Sequence, residues 1–156
     1  MSLYIGFDPG NKGAMAAIFS LTDVMIWEFK HHGLIGYQKT LAVLIEHNSR
    51  DNIIIGLEKV SAMPGQGVTS MFNFGCRYGE IQGLLSGLHL GYELVRPQVW
   101  QKACNVKPKS KKAGIHSAVS KIYPGVEYHG PRGGLVDGIA DAVGIAHYMR
   151  TKYNGS

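Results

Sequence analysis

The chain has two cysteines, Cys76 and Cys104, too few for a disulfide framework or a zinc site, and both are expected to pack as small apolar thiols. It contains no run of eighteen apolar residues, so hydropathy gives no membrane-spanning segment and no membrane partner is expected. The opening MSLYIGFDPG lacks the basic, apolar and small-residue segments of a secretory leader, which leads to the expectation of a soluble, cytoplasmic protein. Acid is scarce too: 11 Asp and Glu stand against 16 Lys and Arg, a formal net charge of +5. That scarcity makes the position of each carboxylate informative. What remains, at 45% hydrophobic and 17% charged over 156 residues, is the composition of a globular protein, and one domain with one core is expected over residues 1–156.

Leu3 to Phe7 is apolar, Asp8-Pro9-Gly10-Asn11-Lys12-Gly13 supplies a turn, and Ala14 to Phe19 is apolar again, the pattern of a β-hairpin. Val24 to Phe29 reads as a third strand after the polar break at Thr22-Asp23. From Tyr37, Leu41, Leu44 and Ile45 recur at helical spacing until the turn residues Asn48 to Asn52. Ile53-Ile54-Ile55-Gly56-Leu57 is a β-branched run suited to a strand buried on both faces, with Glu58 at its carboxyl end. A long helix from Phe72 to Leu90, a strand from Tyr92 to Arg96, and helices over Ser110–Ile122 and Asp137–Met149 complete the order. This is an α/β pattern calling for a mixed sheet covered by helices, with the first strand central and the fourth beside it.

Four carboxylates then stand out. Asp8 and Glu58 occupy the carboxyl ends of the two central strands, where open α/β sheets form their sites. In the last helix Ile139, Ala142, Val143 and Ala146 form a core stripe, and Asp137 and Asp141 share another face at the helix start. Any one of these acids alone is as well explained by capping or by a turn. Together they form a cluster that like-charge repulsion forbids unless a cation compensates it. Oxygen-only ligation selects Mg²⁺, with Mn²⁺ as substitute, and two such ions roughly 3.5 to 4 Å apart clamp an in-line displacement at phosphorus. Around this acidic point the chain is basic. Lys102, Lys107, Lys109, Lys111 and Lys112 fall in a stretch with no acid, a ridge suited to phosphates, whereas in isolation it would read as a solvated loop. Lys12 and Lys59 are further expected DNA contacts.

IGFDPG with Gly13 following, the LEKV and RPQVWQK segments, SKKAGIHSAVSKIYP and the terminal DGIADAVGIA resemble, in order and spacing, the RuvC family of Holliday junction resolvases. The resemblance covers residues 3 to 148, and the MPGQGV loop is most similar to phage-borne members. It implies a ribonuclease H-like five-stranded mixed sheet flanked by helices, a homodimer, and Mg²⁺-dependent nicking of branched DNA that leaves 5′-phosphate ends. It maps Asp8 and Glu58 to the strand acids and Asp141 to the second acid of the terminal helix. It also gives Lys112, or its neighbour Lys111, the role of a basic residue near the scissile phosphate. In one respect the chain departs: the family spaces its helix acids three apart, and position 138 here is Gly, so Asp137 is expected to act from four apart, as a direct ligand or through water.

Gly75, Gly79, Gly83 and Gly87 recur every four residues in a predicted helix, where each costs about 1 kcal/mol relative to Ala. They align a bare groove that either packs the helix on the sheet or admits the same helix of a second subunit. Phe74, Tyr78, Ile81, Leu85 and Leu88 form a seam expected to pack inward. Lys59 to Thr69 reads as a loop that orders on DNA, and Phe72 or Phe74 after it is placed either to stack on bases at a branch point or in the core. Trp27 and Trp100 read as core anchors, and His129 as a weak candidate for the site. Three other functions compete: a broad debranching nuclease for forks and flaps, a ribonuclease H-type RNA hydrolase, and a branched-DNA binding module with a vestigial site. The last requires a lost carboxylate, and Asp8, Glu58 and Asp141 are all present.

Overall fold

A computed structural model describes residues 1–154. Strands β1 (Leu3–Asp8), β2 (Ala14–Ile18), β3 (Val24–Glu28), β4 (Ile53–Glu58) and β5 (Glu93–Val95) form one sheet in the order β3-β2-β1-β4-β5. The β1–β2 and β2–β3 pairs are antiparallel, whereas β1–β4 and β4–β5 are parallel, so the sheet is mixed and β1 is central. Helices α1 (Phe29–His47), α2 (Val68–Gly87), α3 (Pro97–Ala103), α4 (Lys112–Ile122) and α5 (Asp137–Asn154) cover it, with a short 3₁₀ turn at Arg50–Asn52.

Alternation along β1 divides the core in two. Leu3, Ile5 and Phe7 pack with Tyr37, Leu41, Ile81 and Leu85 of α1 and α2, whereas Tyr4 faces a second cluster built by α3, α4 and α5. With both faces covered, β1 is buried along its whole length. Gly6 and Gly56, paired in register, lie under α5, and a Cβ on Gly6 would stand 2.1 Å from the Ala142 carbonyl oxygen. Only bare Cα atoms let the last helix come this close to the sheet.

Several boundaries differ from the sequence reading. Helix α1 begins at Phe29 rather than Tyr37, and it breaks at Gly33, whose φ of 63° lies in the left-handed region. The Lys30–Gly36 stretch has two glycines and no apolar stripe, so periodicity had nothing to register. Helix α2 starts at Val68, directly after Gly67, and takes in residues assigned above to the preceding loop. Helix α3 was not anticipated, because seven residues hold too few turns for a period. Its one local signal is Pro97 at the first helical position. Cys104 is buried as expected, but Cys76 is exposed, because α2 turns that face away from the sheet. Trp100 is fully buried and Trp27 is half-buried against the α1 side. Among the described residues no helix is long and apolar enough to cross a membrane.

Candidate active site

Because Phe7 lies opposite Leu57 on the neighbouring parallel strand, the next residue of each, Asp8 and Glu58, ends its strand on the same edge of the sheet. Asp8 is buried, and its Oδ1 accepts a 3.1 Å hydrogen bond from the Gly10 N–H inside a turn closed by Gly13 N–H to Gly10 O. Burial pushes this carboxyl up to about 6; the Gly10 bond opposes the rise and the charge of Asp137 adds to it. Glu58 Oε2 accepts a 2.9 Å hydrogen bond from Trp100 Nε1. Burial and then the charge of Asp8 push Glu58 up to about 7, with the indole bond pulling the other way.

Helix α5 brings the other two acids. Asp141 is pushed up to about 9, first by burial, then by Asp8, Glu58 and Asp137, with Lys112 offsetting part of the rise. Asp137 opens the helix, where the dipole favours an anion, and its Oδ2 lies 2.5 Å from Lys112 Nζ at the start of α4. That bond holds the Lys112 proton more tightly than usual. A small cavity of about 70 Å³ is lined by Lys112, Asp137 and Asp141 with Ile115, Leu135 and Ala140. Three separate parts of the sequence thus meet at one end of the sheet, and every acid named above takes part.

The spacing of the helix acids has a steric cause. A Cβ on Gly138 would lie 1.9 Å from the Lys12 carbonyl oxygen and 3.0 Å from Asp8 Oδ2, so the position one residue closer to Asp141 has no room for a side chain. The turn after Asp8 rests on the start of α5, and the acid sits at 137 instead. Gly138→Ala is therefore expected to cost about 3 kcal/mol or more of stability, read as a lower thermal midpoint. An unchanged midpoint would show that the contact between turn and helix is slack.

The donor set fits a hard divalent cation: four carboxylates, no sulfur and no imidazole, clustered where ionising them together is unfavourable. As they stand, no three His, Cys, Asp or Glu side chains among the described residues are arranged as a finished metal-binding group. The mutual effects on proton affinity require the acids to be close, not to be at ligand distance.

The other anticipated residues divide into two groups. Phe74 lies over the site, with its ring 3.5 Å from where a Cβ of Gly10 would stand, and not in the inward seam, which keeps Tyr78, Ile81, Leu85 and Leu88. Phe72 is exposed, as are Lys12, Lys59, Lys102, Lys109 and Lys111. Lys107 lines a separate cavity of about 350 Å³ together with Lys121. His129 meets His116 edge to face, and its Nδ1 lies 3.4 Å from Glu127 Oε1 rather than near any of the four acids. Two contributors escaped the sequence reading. Trp100 is the core anchor expected, and it also orients Glu58, a partner 42 residues away that no local pattern reveals. Arg132 stands in a glycine-rich turn just before α5, at a neighbouring cavity, and the HGPRGG composition is its one local signal.

No family model and no curated protein matches the chain. Solved structures do. A Thermus thermophilus RuvC in complex with a Holliday junction substrate aligns with a TM-score of 0.62 at 13% identity, covering 97% of this chain and 96% of that one. A second Thermus thermophilus RuvC structure aligns with a TM-score of 0.58 at 14% identity and the same coverage of both chains. The match over nearly the full length of both proteins establishes that this chain has the RuvC fold, a ribonuclease H-like mixed five-stranded sheet flanked by helices.

Proposed function

We propose that the chain is a divalent-cation-dependent endonuclease that nicks branched DNA, four-way junctions foremost, and leaves 5′-phosphate ends. The observation that carries this reading is the gathering of Asp8, which is buried, and Glu58 and Asp141, which are half-buried, at one end of the sheet in a protein of net charge +5. A fold held in common with a RuvC bound to a Holliday junction supports the substrate class. Asp8, Glu58, Asp141 and Asp137 would hold Mg²⁺, or Mn²⁺ in its place, two ions per site. Once bound, such ions activate water and stabilise the leaving 3′ oxygen. Trp100 fixes the direction of Glu58, Gly10 that of Asp8, and the surrounding apolar side chains limit water. Lys112 contributes positive charge beside the phosphate, with Asp137 as its resting partner.

The decisive experiment compares purified protein on four-way, three-way, flap and linear duplex DNA with Mg²⁺ and with Mn²⁺. Selective nicking of four-way junctions is expected. Equal cutting of forks and flaps would favour the broad debranching nuclease, and cutting of the RNA strand of a hybrid alone would favour the ribonuclease H reading. Binding without cutting would leave a branched-DNA module.

The lysines carry a second test. Replacing Lys111 and Lys112 together by Ala is expected to weaken junction binding and to reduce the slope of log K against log salt by about two. An unchanged slope removes them from the phosphate contacts.

A symmetric pair of cuts calls for a two-fold dimer, and α2 offers a face for it. Gly75, Gly79, Gly83 and Gly87 are all exposed and a Cβ on any of them would meet nothing within 4 Å. They are not consumed by packing on the sheet, which leaves the groove for the same helix of a second copy. Gly83→Leu is expected to shift sedimentation from dimer to monomer, and an unaltered dimer would exclude this face.

A further inference from the structure

A cavity of about 450 Å³ lies beside the acidic cluster, and no role has yet been given to it. Its walls carry Lys12 from the turn after β1, Lys30 from α1 and Arg132 from the segment before α5, together with Glu28, Leu135 and Val136. Its size is that of a small-ligand site, and three cations from distant parts of the sequence converge on it. Arg132 is presented on a fixed frame. The His129–Leu135 bridge, a 2.8 Å hydrogen bond from Gly130 N–H to Gly134 O and one of 2.9 Å from Gly133 N–H to Gly130 O make a small hairpin, with Gly133 at φ 82°. Val136 N–H ties its base to Tyr128 O at 2.9 Å.

We propose that this cavity is a nucleotide subsite, which takes one unpaired nucleotide of the DNA strand, with its phosphate on the three cations and the amino group of its base on Glu28. The inference rests on the nuclease reading and extends it to base preference near the branch point. Placement supports it. Leu135 lines both this cavity and the small one that contains Asp137 and Asp141. In the sheet, Asp8 pairs with Ala14 and Ala14 with Glu28, which sets Glu28 two strands from Asp8, about 10 Å at a spacing of about 4.8 Å. That distance is about three base-pair rises along a helix axis, and fewer steps along the strand itself.

The walls choose the ligand. Leu135, Val136 and Pro131 give an apolar surface for the face of a base, which a bare phosphate would not use. Oε1 of Glu28 is buried and accepts no hydrogen bond, and Lys30 Nζ at 3.5 Å is within ion-pair range only. His31 Nε2 lies 3.6 Å from the other oxygen, so both contacts are loose and turning the carboxylate about its last torsion offers Oε1 to a donor in the cavity. Adenine and cytosine carry an amino group on the edge they would present. Thymine presents a carbonyl oxygen there, which a carboxylate repels.

The test uses four-way junctions with cytosine or thymine at each of the three positions on either side of the branch point, bound to the full-length protein in EDTA and then nicked with Mg²⁺. At one position cytosine is expected to bind about tenfold more tightly than thymine. Glu28→Ala is expected to remove that difference, and Glu28→Gln, whose amide also donates, to bring thymine to within about twofold of cytosine. Arg132→Ala at the exposed hairpin tip is expected to weaken all junctions alike and to lower the salt slope by about one. Wild-type protein that binds both bases equally at every position, or Glu28→Ala protein that still discriminates, overturns the proposal. Because binding is read without metal, a failure to nick counts against the nuclease reading and leaves this test intact.

Discussion

Asp8→Asn is expected to slow Mg²⁺-dependent nicking of a four-way junction by about a thousandfold or more while leaving junction binding within about twofold. The amide has the shape of the carboxylate, and its oxygen can keep the hydrogen bond from Gly10 N–H. What it loses is the charge, in a buried position where charge is the reason for the group. A metal site contributes several kcal/mol to the transition state, and about 4 kcal/mol corresponds to about a thousandfold in rate. On the proposed reading binding depends instead on the lysines, which the substitution does not touch. Single-turnover nicking and electrophoretic binding of the same junction separate the two effects. An Asp8→Asn protein that still nicks at the wild-type rate would remove the acidic cluster from the chemistry.

The second large effect is on stability. Asp8, Glu58 and Asp141 hold their protons up to about pH 6, 7 and 9, against ordinary values of 3.8, 4.5 and 3.8. Between about pH 4 and pH 9 the folded chain therefore binds more protons than the unfolded one, and stability falls as pH rises. The contribution of these groups is fully present near pH 4 and is lost progressively as pH passes about 6, 7 and 9. Metal reverses the trend, since the ionised acids then have a partner present only in the folded state. At a hundredfold excess over its dissociation constant, Mg²⁺ adds about 2.7 kcal/mol, or roughly 5 to 10 °C in thermal midpoint for a chain of this size. Asp141→Asn is expected to raise the midpoint of the metal-free protein at pH 8 and to abolish the response to Mg²⁺. Thermal unfolding followed by circular dichroism from pH 5 to 9, with and without Mg²⁺, reads all of this. Equal midpoints at pH 5 and 8, indifferent to Mg²⁺, would mean that the acids are too far apart to matter to one another.

The parts legible in the sequence were those written in local order. The β-branched run ending at Glu58, the Asp8-Pro9-Gly10 turn and the apolar stripe of α5 each announce themselves within ten residues or so, and chain order then places β1 beside β4. The carboxylates follow, because each sits at the end of such an element. What local order does not contain is the partner from elsewhere. The hydrogen bond of Trp100 to Glu58, the ring of Phe74 over Gly10 and the contact of Lys12 with Gly138 are set by how the layers pack. The absence of an acid at 138 looked like a departure from pattern and proves to be clearance. Cys76, expected in the core as a small thiol, lies off the Tyr78, Ile81, Leu85 and Leu88 stripe that faces the sheet, and it is exposed.

The indole that steers Glu58 itself leans on bare backbone, since a Cβ on Gly144 would stand 2.5 Å from the Trp100 ring. A methyl group gained there would push the ring, and the ring would swing the carboxylate, although no acid had changed. The aim of Glu58 thus hangs on a position with no chemistry of its own. Four intact acids are therefore an incomplete description of this site unless residues 100 and 144 are read with them.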